Sequence, residues 1–414
     1  MKSLSKFSKT QSLLPTIFVC WLSIYLDYYF GWWSQAISGL HLRENFLDMK
    51  IVVNFANCYK TDGVAVYQPL VGDSIECTGY QYGRTLLQLL NLLNISEKNV
   101  LLLANLGILI SLIIITRIFF LFGYSKPSHF VAFFFLVAGA PFRLLLERGN
   151  FDVLVLALVF LALIAFKRAR RTVSFILVAA ASLIKFYTFG LLLLFPLFCK
   201  SKKGVVLQLF GIISIAFIMF RDLQLIKVPF ANTNYISFGA PWIGEWYDFS
   251  TDYQEFLRLD VSGNLWHALG VLLLLATALL INLNFRKVPM FNSDRSNFEF
   301  KGLVVLFMGT PFLTCYLYGM NYDYRLFFLI FAALATLGRI NFQNRRIGLL
   351  LHGALFLSVW CAYPIGIMKI PMLNYLAQAI GNLGILFFTS IVLIDLLRIL
   401  FESRMVKRFP TGQV

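Results

Sequence analysis

The chain has 414 residues, of which 59% are hydrophobic and 14% are charged, and its formal net charge at pH 7 is +16. Soluble domains are about half apolar and about a quarter charged, so this composition excludes a soluble globular protein and predicts a polytopic protein of the lipid bilayer. The positive charge does not indicate a nucleic-acid partner, because short cytoplasmic loops of membrane proteins collect Lys and Arg.

Runs of about 17 to 25 apolar residues, the length that crosses a bilayer as a helix, recur along the chain. The first run follows Lys2, Lys6 and Lys9 and has no small-residue cleavage site, so it is interpreted as an uncleaved span rather than a signal peptide. The runs predicted to span the membrane lie at about 13–34, 100–121, 128–146, 151–166, 204–220, 264–284, 302–318, 323–338, 347–366 and 376–397.

The segment 172–199 lies between two basic clusters, KRARR at 167–171 and KSKK at 200–203. A single crossing would place these clusters on opposite faces of the membrane. Two short helices that meet near Lys185, Phe186 and Tyr187 would instead leave both clusters in the cytoplasm, as the distribution of basic residues in membrane proteins requires. We therefore predict an all-α integral membrane protein with about 12 transmembrane helices, including a broken pair near Lys185, and with both termini inside.

Two predicted outer segments, 35–99 and 221–263, are far longer than typical connections, and long ordered loops often carry function. The first contains Asp48, Asp62, Asp73 and Glu76. The predicted organisation is a cytoplasmic N-terminus with the first span (1–34), an acidic outer loop (35–99), a membrane core (100–220), a second outer loop (221–263), C-terminal membrane helices (264–397) and a cytoplasmic tail (398–414).

Cysteine and histidine patterns give no sign of a bound metal. The six cysteines form no CxxC motif and the four histidines form no HxxH or HExxH motif, so neither a metal site nor a required cofactor is predicted, and help from a divalent cation stays open. Cys58 and Cys77 share the first outer loop, where an oxidising compartment would permit a disulfide. The sequence leaves both the bonded and the free forms open.

Several ionisable residues lie at membrane depth, where a charge is expensive unless it faces a partner or a cavity, and each is therefore a functional candidate. Lys185 is the clearest, because it stands in the middle of an apolar run. Asp323 and Arg325 are two residues apart, a poor spacing for a pair on a helix, so each is expected to find a partner elsewhere. The remaining candidates lie in the ERGNFD stretch, at a junction between two apolar runs: Glu147, Arg148 and Asp152.

Cations at the rim of a membrane, below an acidic outer loop, suit a lipid-linked phosphate. Arg binds phosphate through two donors and Lys acts as a point charge. Transfer of a sugar from a polyprenyl phosphate would need one general base at the acceptor hydroxyl, because the phosphate leaving group is already charged and requires no acid. One well-placed carboxylate would suffice.

Three stretches resemble glycosyltransferase family 87, within the GT-C superfamily of membrane enzymes that use polyprenyl-phosphate sugars. The stretch 147–198 resembles the family core, in which an (E)RGN element opens a span and a small-residue helix ends in a Lys-aromatic-Pro step. Here that step is Lys185-Phe186-Tyr187-Thr188, without the proline. The stretch 321–334, NYDYRLFFLIFAAL, resembles its later Asp-Tyr-Arg span, and 47–69 resembles its first outer loop.

The resemblance implies a GT-C-like fold and an inverting transfer of a mannose-like sugar or a pentose to a glycan or lipid-linked acceptor. It implies a site on the outer face of a bacterial plasma membrane. Asp48 would be the catalytic base, with Asp62 as runner-up and Asp27 third. The residues that would bind the donor phosphate or orient the donor are Lys185, Arg148, Arg325, Glu147, Asn150, Asp323 and Tyr187.

Two other classes stay open. A polysaccharide polymerase or ligase would share the lipid-linked substrate, but it should gather its Arg residues in one large outer loop, whereas here they are spread over several junctions. A secondary transporter would also use a broken helix with a buried charge, but it should show an internal repeat with a second interrupted span. The sequence shows one clear break.

Overall fold

The computed structural model describes residues 46–67, 77, 80, 82–122, 140–147, 149–199, 201–226, 237–238, 263–285, 298–318, 321–322, 325–339, 345–361 and 371–403. The predicted first span, the third candidate base Asp27, and the candidate site residues Arg148 and Asp323 lie outside these ranges.

Helices dominate the described chain. In chain order they are α1 (Leu47–Asp62), α2 (Arg84–Leu92), α3 (Val100–Leu121), α4 (Ala140–Glu147), α5 (Asp152–Lys167), α6 (Arg171–Ile184), α7 (Phe189–Leu192), α8 (Lys202–Leu225), α9 (Gly263–Phe285), α10 (Phe298–Val304), α11 (Thr310–Tyr318), α12 (Leu326–Leu337), α13 (Arg345–Cys361) and α14 (Pro371–Ser403). Single turns of 3₁₀-helix lie at Gly63–Tyr67, Glu97–Asn99, Phe186–Thr188 and Phe195–Phe198.

The helical class predicted from the sequence is confirmed for the described residues, which include one very short strand pair in addition to the helices. Two short strands, β1 (Ser237–Phe238) and β2 (Asn321–Tyr322), pair antiparallel, with Ser237 opposite Tyr322. This pair ties the predicted second outer segment to the chain shortly before Arg325. Local periodicity could not show it, because a two-residue strand carries no alternating pattern.

Four described helical stretches are long and apolar enough to cross a membrane: Glu97–Phe119, Lys202–Leu225, Phe300–Leu317 and Ala379–Phe401. Shorter apolar helices lie at Arg171–Ile184, Phe186–Phe198, His267–Leu283, Leu326–Leu337 and Arg346–Val359. The membrane character predicted from composition is therefore supported by the helices themselves, and the count of about 12 spans stays a prediction.

Two helices run past the ends of their predicted apolar runs, at 220 and 397. The helix α8 continues to Leu225, and its last turn includes the buried Asp222, whose carboxylate binds Arg84. The helix α14 continues to Ser403, and Arg398 near its end donates a hydrogen bond to Asn282 of α9 at 3.2 Å. Polar contacts hold these final turns, so the helices do not end where hydropathy falls.

The helix break predicted near Lys185 is present. The helix α6 ends at Ile184, and Lys185 has an extended backbone with φ −141° and ψ 118°. The chain then returns through Phe186–Thr188, α7 and Phe195–Phe198. The guanidinium of Arg171, the first residue of α6, donates a hydrogen bond to the carbonyl of Phe198. The segment therefore begins and ends on the same side, with Lys185 at its tip.

The helix α12 lies at the centre of the bundle, because every one of its residues from Leu326 to Leu337 is buried. It packs against α14 and against a π-helical turn, Val305–Gly309, which joins α10 to α11. Pro311 follows this turn, and a proline lacks the N–H and crowds the carbonyl four residues earlier, which accounts for the irregular turn. Arg325, at the start of α12, is consequently held inside the protein.

The described part of the predicted first outer segment forms a small helical layer. Its helices α1 and α2 pack together, and the Tyr80 ring meets the rings of Phe55 and Tyr67 at centroid distances of 5.3 and 5.6 Å. Cys58 and Cys77 form a disulfide with Cα atoms 5.5 Å apart, which settles the alternative that the sequence left open. The bond ties α1 to the chain that leads into α2.

Candidate functional site

Three charged side chains meet inside the protein around the carboxylate of Asp152. This side chain is fully buried, at 0% exposure. The Lys185 ammonium Nζ lies 3.7 Å from its Oδ1, and the Arg325 Nε lies 3.5 Å from its Oδ2. The Tyr187 hydroxyl donates a 2.8 Å hydrogen bond to Oδ1. The partner of Arg325 is thus Asp152, which lies far from it in the chain. A partner outside its own helix was expected, because Asp323 and Arg325 are only two residues apart.

Helix ends place these charges. Asp152 stands in the first turn of α5, where a negative charge faces the positive end of the helix dipole, and Lys185 follows the last residue of α6, where a positive charge is favoured. Arg325 differs, because it stands at the N-terminus of α12 and adds its charge to the positive end of that dipole. Positive potential is therefore concentrated on the Arg325 side of the cluster.

The turn before α5 carries the ERGNFD stretch and requires its glycine. Gly149 has φ +60°, and a Cβ there would lie 3.2 Å from the Cβ of Phe46 and 3.3 Å from the Cβ of Met49. The next residue, Asn150, accepts a 3.0 Å hydrogen bond from the Asp152 N–H through its Oδ1. The turn thus packs directly against the start of α1 and fixes the start of α5.

Asn150 also connects this turn to the candidate base. Its Nδ2 donates a 2.7 Å hydrogen bond to Oδ2 of Asp48. Asp48 lies in the first turn of α1, where the helix dipole favours a carboxylate. One amide side chain therefore holds the Asp48 carboxylate beside the Asp152 cluster and orients it.

The Lys185 ammonium is buried without a hydrogen-bond acceptor among the residues that the structure describes. Its side chain is 3% exposed, its nearest carboxylate oxygen is beyond hydrogen-bond distance at 3.7 Å, and the face of the Tyr82 ring lies 3.2 Å from Nζ. Asp152 faces Lys185 and Arg325 together, so this one carboxylate lies between two cations. An anion bound here would accept hydrogen bonds from the Lys185 ammonium.

One wall of the cluster is a segment that we call the outer strap, after the predicted outer loop that contains it, and that we define as Tyr80, Tyr82, Gly83 and Arg84. A Cβ at Gly83 would lie 2.9 Å from the Leu183 carbonyl oxygen and 3.0 Å from Oδ2 of Asp222. The strap therefore touches the broken helix so closely that only glycine fits.

A second ion pair fastens the outer strap. The Arg84 backbone N–H donates to Oδ2 of Asp222 at 2.9 Å, and its Nε donates to Oδ1 at 2.6 Å. The hydrogen bond to Asp222 raises the pKa of the Arg84 guanidinium. Burial raises the pKa of the Tyr67 and Tyr80 phenols beside it, so both stay neutral. The strap is thus held to α8 by a buried two-point contact.

The structure brings together part of the predicted site. Asp48, Asn150, Lys185, Tyr187 and Arg325 lie in one network. Asp62, the runner-up base, does not join it, because it is exposed at the far end of α1, about 21 Å along the helix from Asp48. Glu147 is the last residue of α4, and only its backbone is described.

Sequence reasoning noted Asp152 within ERGNFD but did not place it in the site, and it missed Tyr82. The signal for Asp152 was a carboxylate in the first turn of an otherwise apolar helix, which demands a cation from elsewhere in the chain. Tyr82 had no comparable signal, because an aromatic residue in an outer loop is common in membrane proteins.

Within the described ranges, no group of three or more His, Cys, Asp and Glu side chains could hold a metal ion. Comparisons with protein-family models, with curated proteins and with solved structures found no match. The likeness to glycosyltransferase family 87 therefore rests on the three sequence stretches alone, and the family assignment stays a prediction.

Proposed function

We propose that the protein is a membrane glycosyltransferase that moves a mannose-like sugar or a pentose from a polyprenyl phosphate to a glycan or lipid-linked acceptor. The observation that carries the proposal is the Lys185 ammonium, buried beside Asp152 and Arg325 and without a hydrogen-bond acceptor in the described chain. A buried ammonium is stabilised in a low-dielectric interior when an anion accepts its hydrogen bonds.

The charge of the cluster fits a sugar-phosphate lipid. That donor is a phosphodiester with one negative charge, which the two cations beside Asp152, Lys185 and Arg325, would attract. When the bond between the anomeric carbon and the phosphate oxygen breaks, the electron pair stays on the phosphate and its negative charge grows. The cations therefore attract the leaving group more strongly in the transition state than in the bound donor, which is the condition for catalysis.

Asp48 takes the role of general base in this proposal. The acceptor hydroxyl would lose its proton to Asp48 while its oxygen forms a bond to the anomeric carbon, on the face opposite the departing phosphate. A single displacement of this kind inverts the anomeric centre. The hydrogen bond from Asn150 orients the Asp48 carboxylate for this step.

The proposed site faces away from the basic clusters. The segment 171–198, which we call the re-entrant segment, carries Lys185 at its tip, whereas Arg171, the last residue of the cluster KRARR, meets Phe198 at its base. Because basic clusters collect on the cytoplasmic side, the tip would face outward, on the outer face of a bacterial plasma membrane. The acceptor would then be a glycan or glycolipid of the cell envelope.

A polyprenyl-dependent polymerase or ligase is the nearest alternative, because it would use the same phosphate-binding cations. A secondary transporter is the second, since a buried charge at a helix break is also what a transporter uses to bind a solute. A polymerase would lengthen the acceptor by more than one sugar, and a transporter would accumulate solute in vesicles without any transfer.

The direct test incubates membranes that contain the protein with a panel of radiolabelled polyprenyl-phosphate sugars. Wild-type protein should transfer label to an endogenous acceptor, and Asp48→Asn should lower the rate by about 100-fold or more. Asp62→Asn is the matched control, because it makes the same change at the exposed end of the same helix. Transfer that survives in Asp48→Asn, or falls equally in Asp62→Asn, removes Asp48 from the role of base.

A further inference from the structure

The outer strap brings an aromatic ring against the one buried lysine of the cluster. The Lys185 Nζ lies 3.2 Å from the centroid of the Tyr82 ring, so the ammonium sits on the ring face. On its other side Nζ faces Asp152 at 3.7 Å. Lys185 is therefore held between a ring and a carboxylate, and it hydrogen-bonds to neither.

Close packing fixes the ring from behind. Tyr80 is buried at 1% exposure, meets the Tyr82 ring edge to face at 5.7 Å, and donates its backbone N–H to the Val66 carbonyl at 3.0 Å. Gly83 leaves no room between the outer strap and the carbonyl of Leu183, and Arg84 binds Asp222 through two hydrogen bonds. The Tyr82 ring therefore cannot shift without moving neighbours on both sides.

A ring face and a carboxylate act differently on an ammonium. The negative face of an aromatic ring attracts the charge as a whole and supplies no lone pair. A carboxylate at hydrogen-bond distance would instead occupy the N–H donors. The arrangement around Lys185 stabilises the buried charge and fixes its place while leaving its donors for the oxygens of a bound anion.

We propose that Tyr82 is a positioning residue for the phosphate of the donor, and that it acts through Lys185 by holding the ammonium at the tip of the broken helix. The inference rests on the proposed function for the identity of the anion. The contact between Tyr82 and Lys185 stands independently of it. The phenol hydroxyl plays no part in this role, because only the ring face meets Nζ.

The contact itself is tested by a double-mutant cycle on thermal unfolding of the purified protein in detergent. The variants are Tyr82→Leu, Lys185→Met and the double variant. If the ring holds the ammonium, the loss of stability in the double variant is smaller than the sum of the two single losses. If the two single losses of stability simply add in the double variant, the proposal is overturned, because a tyrosine that does not interact with Lys185 would give that result.

The role in binding is tested with a defined probe, decaprenyl phosphate, titrated onto the protein in lipid nanodiscs. Tyr82→Leu should weaken binding about tenfold, and Tyr82→Phe should restore it to within about twofold of wild type, because the ring face is kept. Tyr59→Leu is the matched control, since Tyr59 is a partly buried tyrosine of the same outer layer that packs on the core rather than on Lys185. If Tyr82→Leu binds decaprenyl phosphate as tightly as the wild type, the positioning role is overturned. Tighter binding also overturns it, because it shows that the ring obstructs the anion.

The two tests separate failure of this inference from failure of the proposed function. Wild-type protein that does not bind decaprenyl phosphate, but shows the coupling on unfolding, overturns the proposed function and supports the contact between Tyr82 and Lys185. Wild-type protein that binds the probe, with Tyr82→Leu unchanged, overturns the inference and leaves the proposed function standing.

Discussion

Asn150 joins two parts of the chain that are 102 residues apart, by donating a 2.7 Å hydrogen bond from its Nδ2 to Oδ2 of Asp48. Its Oδ1 meanwhile accepts from the backbone of Asp152, the carboxylate that faces both buried cations. Asn150 therefore links the candidate base to the candidate phosphate site. In a transferase the distance between them has to match the sugar ring that lies between the acceptor and the phosphate.

Replacing Asn150 should affect chemistry more than binding. Asn150→Ala removes the hydrogen bond to Asp48 and the one from the Asp152 N–H, so the rate of sugar transfer should fall about 10- to 100-fold and the affinity for decaprenyl phosphate should fall by less. The initial rate of sugar transfer and the affinity for decaprenyl phosphate are measured on the same preparations of wild type and variant. Asn105→Ala is the control, because Asn105 is exposed on α3 and its side chain bonds to a carbonyl of its own helix. A loss of binding that parallels the loss of rate would contradict the orienting role.

Asp152 should be essential for stability, because it is the carboxylate shared by two buried cations. Asp152→Asn keeps the shape of the side chain but removes the negative charge that faces Lys185 and Arg325, and breaking a buried charge pair costs about 3–5 kcal/mol. The thermal unfolding temperature should drop clearly, and adding Lys185→Met should recover part of the loss. An unchanged unfolding temperature would show that the two cations have another counter-charge.

The close packing of the outer strap against the end of α6 can be tested at Gly83. Gly83→Ala forces a Cβ to within 2.9 Å of the Leu183 carbonyl oxygen, so the strap must move, at a cost of about 1–3 kcal/mol. Gly353→Ala is the control, since a Cβ there meets nothing within 4 Å, and in a helix it should be neutral or slightly stabilising. Equal stability of the two variants would mean that the strap is not packed against the broken helix.

The disulfide gives a test of sidedness. Cys58 and Cys77 should resist alkylation in intact cells until a reductant is added, because a disulfide persists only in an oxidising compartment. The double variant Cys58→Ala/Cys77→Ala should unfold at a lower temperature, with a loss of about 3 kcal/mol for a loop of this size. Mass spectrometry of alkylated peptides detects the bond directly. Free thiols at both positions in untreated cells would place the loop in the cytoplasm, against the proposed topology.

Much of the membrane core follows from the sequence, because helices in lipid must be apolar over their whole length. The run at 100–121 became α3, and the two basic clusters predicted the re-entrant segment even though its expected proline is missing. Lys185 could be chosen because a lone cation in an apolar run is costly in lipid unless it faces a partner or a cavity.

The partners of these residues could not be predicted, since they lie far apart in the chain. Nothing local to Asp152 shows that Lys185 and Arg325 will meet it, and the pairing depends on how three helix ends converge. The sequence ranked Asp48 ahead of Asp62 only through the family resemblance, and it could not show which of the two lies at the site. Only the direction of α1 shows that Asp48 lies beside Asn150 and that Asp62 is at the exposed end.

The most direct test of the central claim, that Lys185 and Arg325 form a site for a lipid phosphate, is the affinity of decaprenyl phosphate for wild type and Lys185→Met in nanodiscs. The account predicts saturable binding to wild type and a loss of about tenfold or more in Lys185→Met, because Lys185 provides one of the two cations. Binding with unchanged affinity in Lys185→Met, or no saturable binding to the wild type, would contradict it.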